Sequence, residues 1–282
     1  MRLIDSHAHL QADVFAWDRA GVIADARAAG VERILVPGWD AGSSAAAEDL
    51  AREWGMDAAV GVHPHDASLV TEADWAAIVE LAGAPEVVAI GETGLDYDRM
   101  HSPQEAQLAN LRRHLRLSLH TGKPAILHCR SAAGKRDAQD ALIAELRAAG
   151  FGEAAARAAF GDFPPAVLHS FSGPVDYAAA ALEMGIAIAF GGLVFRSGEE
   201  VSAEVARMVP GQLLLIETDS PYLAPPGVPR GSCTGSSGRR NSPEWVRITA
   251  EWLAKQRGQS PDTIGAGLVA AYDATFRRRS QG

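Results

Sequence analysis

The chain has 282 residues, of which 47% are hydrophobic and 22% charged. This is ordinary globular usage, and it excludes a disordered, collagenous or coiled-coil chain. Twenty-six Lys and Arg against 35 Asp and Glu leave a formal charge of −9. That is the wrong sign for a protein that coats DNA through its overall field, so any nucleic acid must be held by local charge or by a metal.

Two cysteines, Cys129 and Cys233, are too few for a disulfide framework, and the chain reads as a reduced, cytoplasmic protein. The opening Met-Arg-Leu-Ile-Asp-Ser-His carries charge at once and has no leader-like apolar run. The longest nearly apolar stretch, 184–195, has 12 residues and three glycines. A membrane helix needs about 20, so no membrane partner is expected. Nothing specifies an oligomer, and a monomer suffices.

From the N-terminus, short apolar runs alternate with helical stretches. Strands are expected near 2–7, 31–37, 57–63, 86–92, 124–129, 165–170, 186–191 and 212–218. Runs such as Val-Val-Ala-Ile-Gly-Glu are too short for helices and are bounded by Gly, Pro or polar residues, as buried strands are. The clearest helices cover 40–54, 103–120 and 242–257, all rich in good helix formers. A last helix, 261–278, begins with Ser260 as N-cap and Pro261 in its first turn. Eight strand–helix units with no linker between them predict one domain, 1–282, folded as an α/β protein of the (β/α)8 barrel type. A doubly wound sheet is the alternative.

Such barrels place their chemistry at the C-terminal strand ends. His7 and His9 follow strand 1, His63 strand 3, Glu92 strand 4, His128 strand 5, His169 strand 6 and Asp219 strand 8. Side chains alternate along a strand, so His7 and His9 share one side while Ala8 points away. Singly, each of these could be a packed histidine or a helix-capping carboxylate. Together they are costly to bury unless a cation pairs with them. Nitrogen and oxygen donors without thiolate suit Zn or Mn, and Mg less well.

The same residues sit in longer segments. Ile4-Asp5-Ser6-His7-Ala8-His9-Leu10, Gly61-Val62-His63-Pro64-His65 and Ile90-Gly91-Glu92-Thr93-Gly94-Leu95-Asp96-Tyr97 come first. Leu127-His128-Cys129-Arg130, His169-Ser170-Phe171-Ser172-Gly173 and Glu217-Thr218-Asp219-Ser220-Pro221-Tyr222-Leu223 follow. In these, nearly end to end, the sequence resembles the TatD family of metal-dependent deoxyribonucleases within the amidohydrolase-like barrels. The resemblance implies two divalent ions (Mg, Mn or Zn). His7, His9, Glu92 and Asp219 would hold one; Glu92, His128 and His169 would hold the other, with Glu92 bridging. It also implies a nuclease acting on DNA ends. The segments 230–241 and 152–165 look longer than is usual in the family, which bears on substrate shape.

Two divalent ions outweigh two carboxylates and a hydroxide by one positive charge, enough to attract a phosphate. Asp219 is expected to orient the attacking water and accept its proton, with Glu92 as its catalytic partner. Substrate contacts are expected from His63, His65, a guanidinium grip by Arg130, and stacking by Tyr222. Arg230, Arg239 and Arg240, on the loop after strand 8, read as a basic flap over the mouth that steers the DNA backbone. Cys129, opposite His128, reads as packing, as do His101, His114 and His120 where they are not on the surface. The preferred reading is a deoxyribonuclease, with 3′–5′ exonuclease action on single strands as its finer form. An amidohydrolase of a small ester, lactone or amide, and a metal-stabilised binding protein without turnover, are the alternatives.

Overall fold

The computed structural model describes residues 1–229 and 240–276. Eight strands form one sheet in chain order, each pairing parallel with the next. They are β1 (Leu3–Asp5), β2 (Val31–Pro37), β3 (Asp57–Val60), β4 (Val87–Asp96), β5 (Ala125–Arg130), β6 (Ala166–Leu168), β7 (Ala187–Phe190) and β8 (Leu214–Ile216). Around them lie α1 (Arg19–Ala28), α2 (Ala41–Trp54), α3 (Glu72–Leu81), α4 (Gln104–Thr121) and α5 (Asp137–Ala148). These are followed by α6 (Ala154–Phe160), α7 (Val175–Glu183), α8 (Val201–Met208), α9 (Val246–Arg257) and α10 (Pro261–Thr275). The expected (β/α)8 barrel is the observed fold.

The strands are buried on both faces, which is why they read as continuous Val, Ile, Leu and Ala runs rather than alternating ones. Local chemistry fixes the helix starts. Asp40 and Ser43 form a reciprocal capping box at α2, Thr71 and Asp74 another at α3, and Ser260 caps α10 ahead of Pro261. The last helix matches its expected start; residues 277 and 278 lie outside the described residues. No helix among the described residues is long and apolar enough to cross a membrane.

β4 corrects the expected boundary of 86–92. It runs on to Asp96, and all ten of its residues are buried. Gly91, inside the expected strand, and Gly94, just beyond its expected end, adopt φ of 141° and 142°. They let β4 lie close against β5: a Cβ on Gly94 would sit 1.9 Å from the His128 carbonyl oxygen. Glu92 therefore lies within a strand, not after it.

The seam between β1 and β8 is closed by the residues that follow the strands. Ser6 N–H donates to Ile216 O at 3.0 Å, Asp219 N–H to His7 O at 2.8 Å, and His9 N–H to Ser220 O at 2.8 Å. Buried Asp5 accepts the Thr218 N–H at 2.9 Å and its hydroxyl at 2.6 Å. The segment 152–165 forms α6, between α5 and β6, with Phe160 packed on Phe151. An αβ connection lies at the end of a barrel opposite the mouth, so this longer segment has no bearing on substrate shape.

Candidate metal centre

The strand ends bring His7, His9, Glu92, His128, His169 and Asp219 into one cup. Glu92 is at its centre. Its Oε2 faces His7 Nε2 at 3.2 Å and His9 Nε2 at 3.7 Å. Its Oε1 faces His128 Nδ1 at 3.1 Å, His169 Nε2 at 3.1 Å and His63 Nε2 at 3.3 Å. Asp219 Oδ1 closes the first side, 3.5 Å from His9 Nε2 and 3.9 Å from His7 Nε2. The backbone of Asp219 is left-handed, with φ of 54°, and its N–H bond to His7 O holds it there.

Three of the rings are oriented from behind. His9 Nδ1–H donates to the Pro37 carbonyl at 3.1 Å, and His169 Nδ1–H to Glu217 Oε1 at 3.0 Å. His128 is reversed: its Nε2–H donates to Asp96 Oδ2 at 3.3 Å. Their free nitrogens turn to Glu92 and Asp219. A lone pair facing a carboxylate oxygen repels it unless a proton or a cation lies between them. The donor set therefore fits divalent ions, which take neutral imidazoles and carboxylates and whose histidine ligands commonly donate their other N–H to a carboxylate or carbonyl. Three overlapping groups of cation-competent side chains occur among the described residues: His7, His169 and Asp219; His7, His9 and Glu92; His63, Glu92 and His128. His7 Nδ1 is buried with no hydrogen-bond partner.

The electrostatics follow from crowding. Burial works to raise the Glu92 pKa, but His169, His63 and His7 hold it well below the usual carboxylate range. Asp219 is also depressed, burial being outweighed by His9, His169 and His7. Burial opposes the charged forms of His9, His128 and His169. Asp219 reverses this for His9, Asp96 for His128 and Glu217 for His169, so all three are raised. Burial pushes His63 down to about 4 and also lowers His7. Protons on the raised histidines occupy the places that cations would take.

Asp96 and Glu217, which face the rings of His128 and His169, are site residues that the reading by strand ends passes over. Asp96 Oδ2 also accepts from His65 Nε2 at 2.9 Å, while its Oδ1 accepts the N–H groups of Asp98 and Arg99. The signal was present, since both acids lie in the segments that carry the family resemblance. Asp96, held ionised by His128 and His65 against the effect of burial, is a carboxylate that the expected charge balance of the cup leaves out.

The expected substrate residues separate. His65 is at the rim on Asp96, beside His101 with ring centroids 4.5 Å apart. Tyr222 is 59% exposed, and it and Trp39 flank the His9 ring at 5.9 and 5.4 Å. Arg130 is exposed and pairs with Asp98 at 2.8 Å. Arg240 departs from the flap expectation. It donates to Val14 O at 2.8 Å, forms an ion pair with Asp18 and stacks over Phe15, so its charge anchors the chain to the loop after β1. Arg230 and Arg239 lie outside the described residues. Cys129 packs against the core, and burial pushes its thiol up to about 12. His114 is fully buried: its Nδ1–H donates to Asn110 O at 2.7 Å and its Nε2 accepts Val62 N–H at 3.0 Å.

The family model for TatD-related DNases matches residues 4–277. The chain belongs to the TatD family. It is a metal-dependent hydrolase by that membership. It is 35% identical over 278 residues to the 3′-5′ ssDNA/RNA exonuclease TatD of Escherichia coli K12, covering 98% of this chain and 97% of the relative. It is 34% identical over 276 residues to the metal-dependent hydrolase YabD of Bacillus subtilis strain 168, covering 98% and 99%. Among solved structures it is similar to the TatD homolog YjjV of Escherichia coli K12, with a TM-score of 0.81, 27% identity and 98% of both chains covered.

Proposed function

We propose that this TatD-family chain is a dinuclear deoxyribonuclease that shortens single-stranded DNA from its 3′ end. The observation that carries the reading is the division of Glu92, with one oxygen turned to His7 and His9 and the other to His128 and His169. A carboxylate divided in this way suits a pair of cations. His7, His9, Glu92 and Asp219 hold one ion, and Glu92, His128 and His169 the other. When bound, divalent ions supply the positive charge that acidifies water and neutralises a phosphodiester. Asp219 is the proton acceptor. Its depressed pKa keeps it ionised at neutral pH, and it stands at the wall of the cup within reach of a water there. Glu217 and Asp96 keep His169 and His128 turned inward. Exposed Tyr222 offers a face on which a terminal base can stack, and Arg130 lies at the rim for a flanking phosphate. The similarity to a protein named as a 3′-5′ ssDNA/RNA exonuclease supports the choice of substrate.

The test uses metal-stripped protein reloaded with Mg, Mn or Zn. Substrates are end-labelled single- and double-stranded DNA and RNA, beside ester and lactone substrates. Metal-dependent shortening from the 3′ end of single strands is expected, and its loss in His128→Ala excludes a contaminating nuclease. Turnover of the lactone or ester with DNA left intact would overturn the proposal.

A further inference from the structure

By distance alone His63 belongs among the metal ligands, with Nε2 3.3 Å from Glu92 Oε1 and beside His128. Its hydrogen bonds exclude it. His63 opens the turn Pro64–Asp66, and its Nδ1 accepts the backbone N–H of His65 at 3.1 Å. A backbone amide only donates, so Nδ1 must carry a lone pair. A neutral imidazole has one lone-pair nitrogen and one N–H. Nε2 of His63 is therefore the protonated nitrogen, with nothing to offer a cation. His9, His169 and His128 have the opposite arrangement. Each uses its N–H away from the cup, on Pro37, Glu217 or Asp96, and turns its lone pair inward.

We infer that His63 is a hydrogen-bond donor in the cup, not a metal ligand, and that its Nε2–H serves a phosphate oxygen of the substrate. This rests on the dinuclear reading above and narrows it, because the second ion is left to His128, His169 and Glu92. The side chain of His63 is 12% exposed, so an incoming group can reach its edge. In the structure Nε2–H points at Glu92 Oε1, an anionic oxygen. A phosphate oxygen entering beside Glu92 presents the same charge and the same acceptor geometry, and a charge-assisted bond of this kind is among the strong ones. The turn fixes the direction of the donor, because the His65 amide holds the ring from the opposite nitrogen.

Three measurements test this on the full chain. The first is ion content after loading with Zn or Mn, compared among wild type, His63→Ala and His63→Gln. The second is the affinity of the loaded proteins for inorganic phosphate by calorimetry. The third is nitrogen-15 NMR of the histidine rings in wild-type protein, metal-free and Zn-loaded, which needs no variant to fold. Both variants should keep the wild-type ion count. Phosphate affinity should fall about ten- to hundredfold in His63→Ala and recover in part in His63→Gln, whose amide restores a donor. The NMR should find the His63 proton on Nε2 with and without Zn. Loss of an ion from His63→Ala, an unchanged phosphate affinity, or a deprotonated Nε2 in the Zn form would each overturn the inference. Wild-type protein that takes up no ion sinks the dinuclear reading instead, and phosphate titration of the ion-free proteins then decides the role of His63 by itself.

Discussion

Asp219 combines three properties in one residue: a left-handed backbone, a carboxylate against two histidines, and a depressed pKa. Such a backbone costs about 1–3 kcal/mol and persists because the seam holds it. Asp219→Asn keeps the shape but removes both the proposed proton acceptor and an anionic metal ligand, so it is compared with wild type at matched metal content. Turnover should fall by about 10²–10⁴, with the affinity for inorganic phosphate changed far less; steady-state kinetics beside calorimetry check this. Asp96 acts through His128, and Asp96→Asn should weaken metal binding by about ten- to hundredfold, read by competition with a chelating dye. His114 gives a pH effect with a definite sign. Burial pushes its pKa down to about 3, whereas in the unfolded chain it takes up a proton below about 6.5. Its contribution to stability is whole above that value and is lost as pH falls toward 3, at about 1.4 kcal/mol per pH unit. His114→Gln can retain both hydrogen bonds without titrating. Its urea-derived stability should fall less steeply than that of wild type between pH 6.5 and 5.

At the scale of elements, β4 carries more than its length suggests, since Glu92 and Asp96 both depend on its close fit to β5. Gly94→Ala would put a methyl group 1.9 Å from the His128 carbonyl oxygen at a φ of 142°. It should destabilise the fold by about 3 kcal/mol or more and displace His128, measured by chemical denaturation and metal content. The same glycine explains where sequence reading stopped short. Strand runs, helix caps and the His-x-His pair are local signals, so the barrel and the clustering of His7, His9, Glu92, His128, His169 and Asp219 could be read from periodicity and position. Gly94, just past the expected end of the strand, lies inside it, and Asp96 was missed with that extension. Glu217 was passed over because its partner, His169, is 48 residues away and no local pattern links them. Arg240 was misread because a charge on a loop looks free until Asp18 is seen against it.

For the molecule as a whole, the net charge is −9 and Arg240 is engaged by Asp18, so among the described residues the cup, with Arg130 at its rim beside Asp98, is the feature most suited to recognising a phosphate. Ions held by the proposed ligands would also tie β1, β4, β5, β6 and β8 together. Free metal at a hundredfold over its dissociation constant should add about 2.7 kcal/mol of stability. Chelation should accordingly lower the melting temperature by several degrees, and readdition should restore it; an unchanged melt would mean that the cations do not span the strands. The clasp between Asp5 and Thr218 has a consequence for biosynthesis. Its two halves are 213 residues apart in the chain, and His7 and His9 must wait for Asp219. A polypeptide that stops short of residue 218 therefore lacks both the clasp and Asp219, and its candidate metal centre is unfinished.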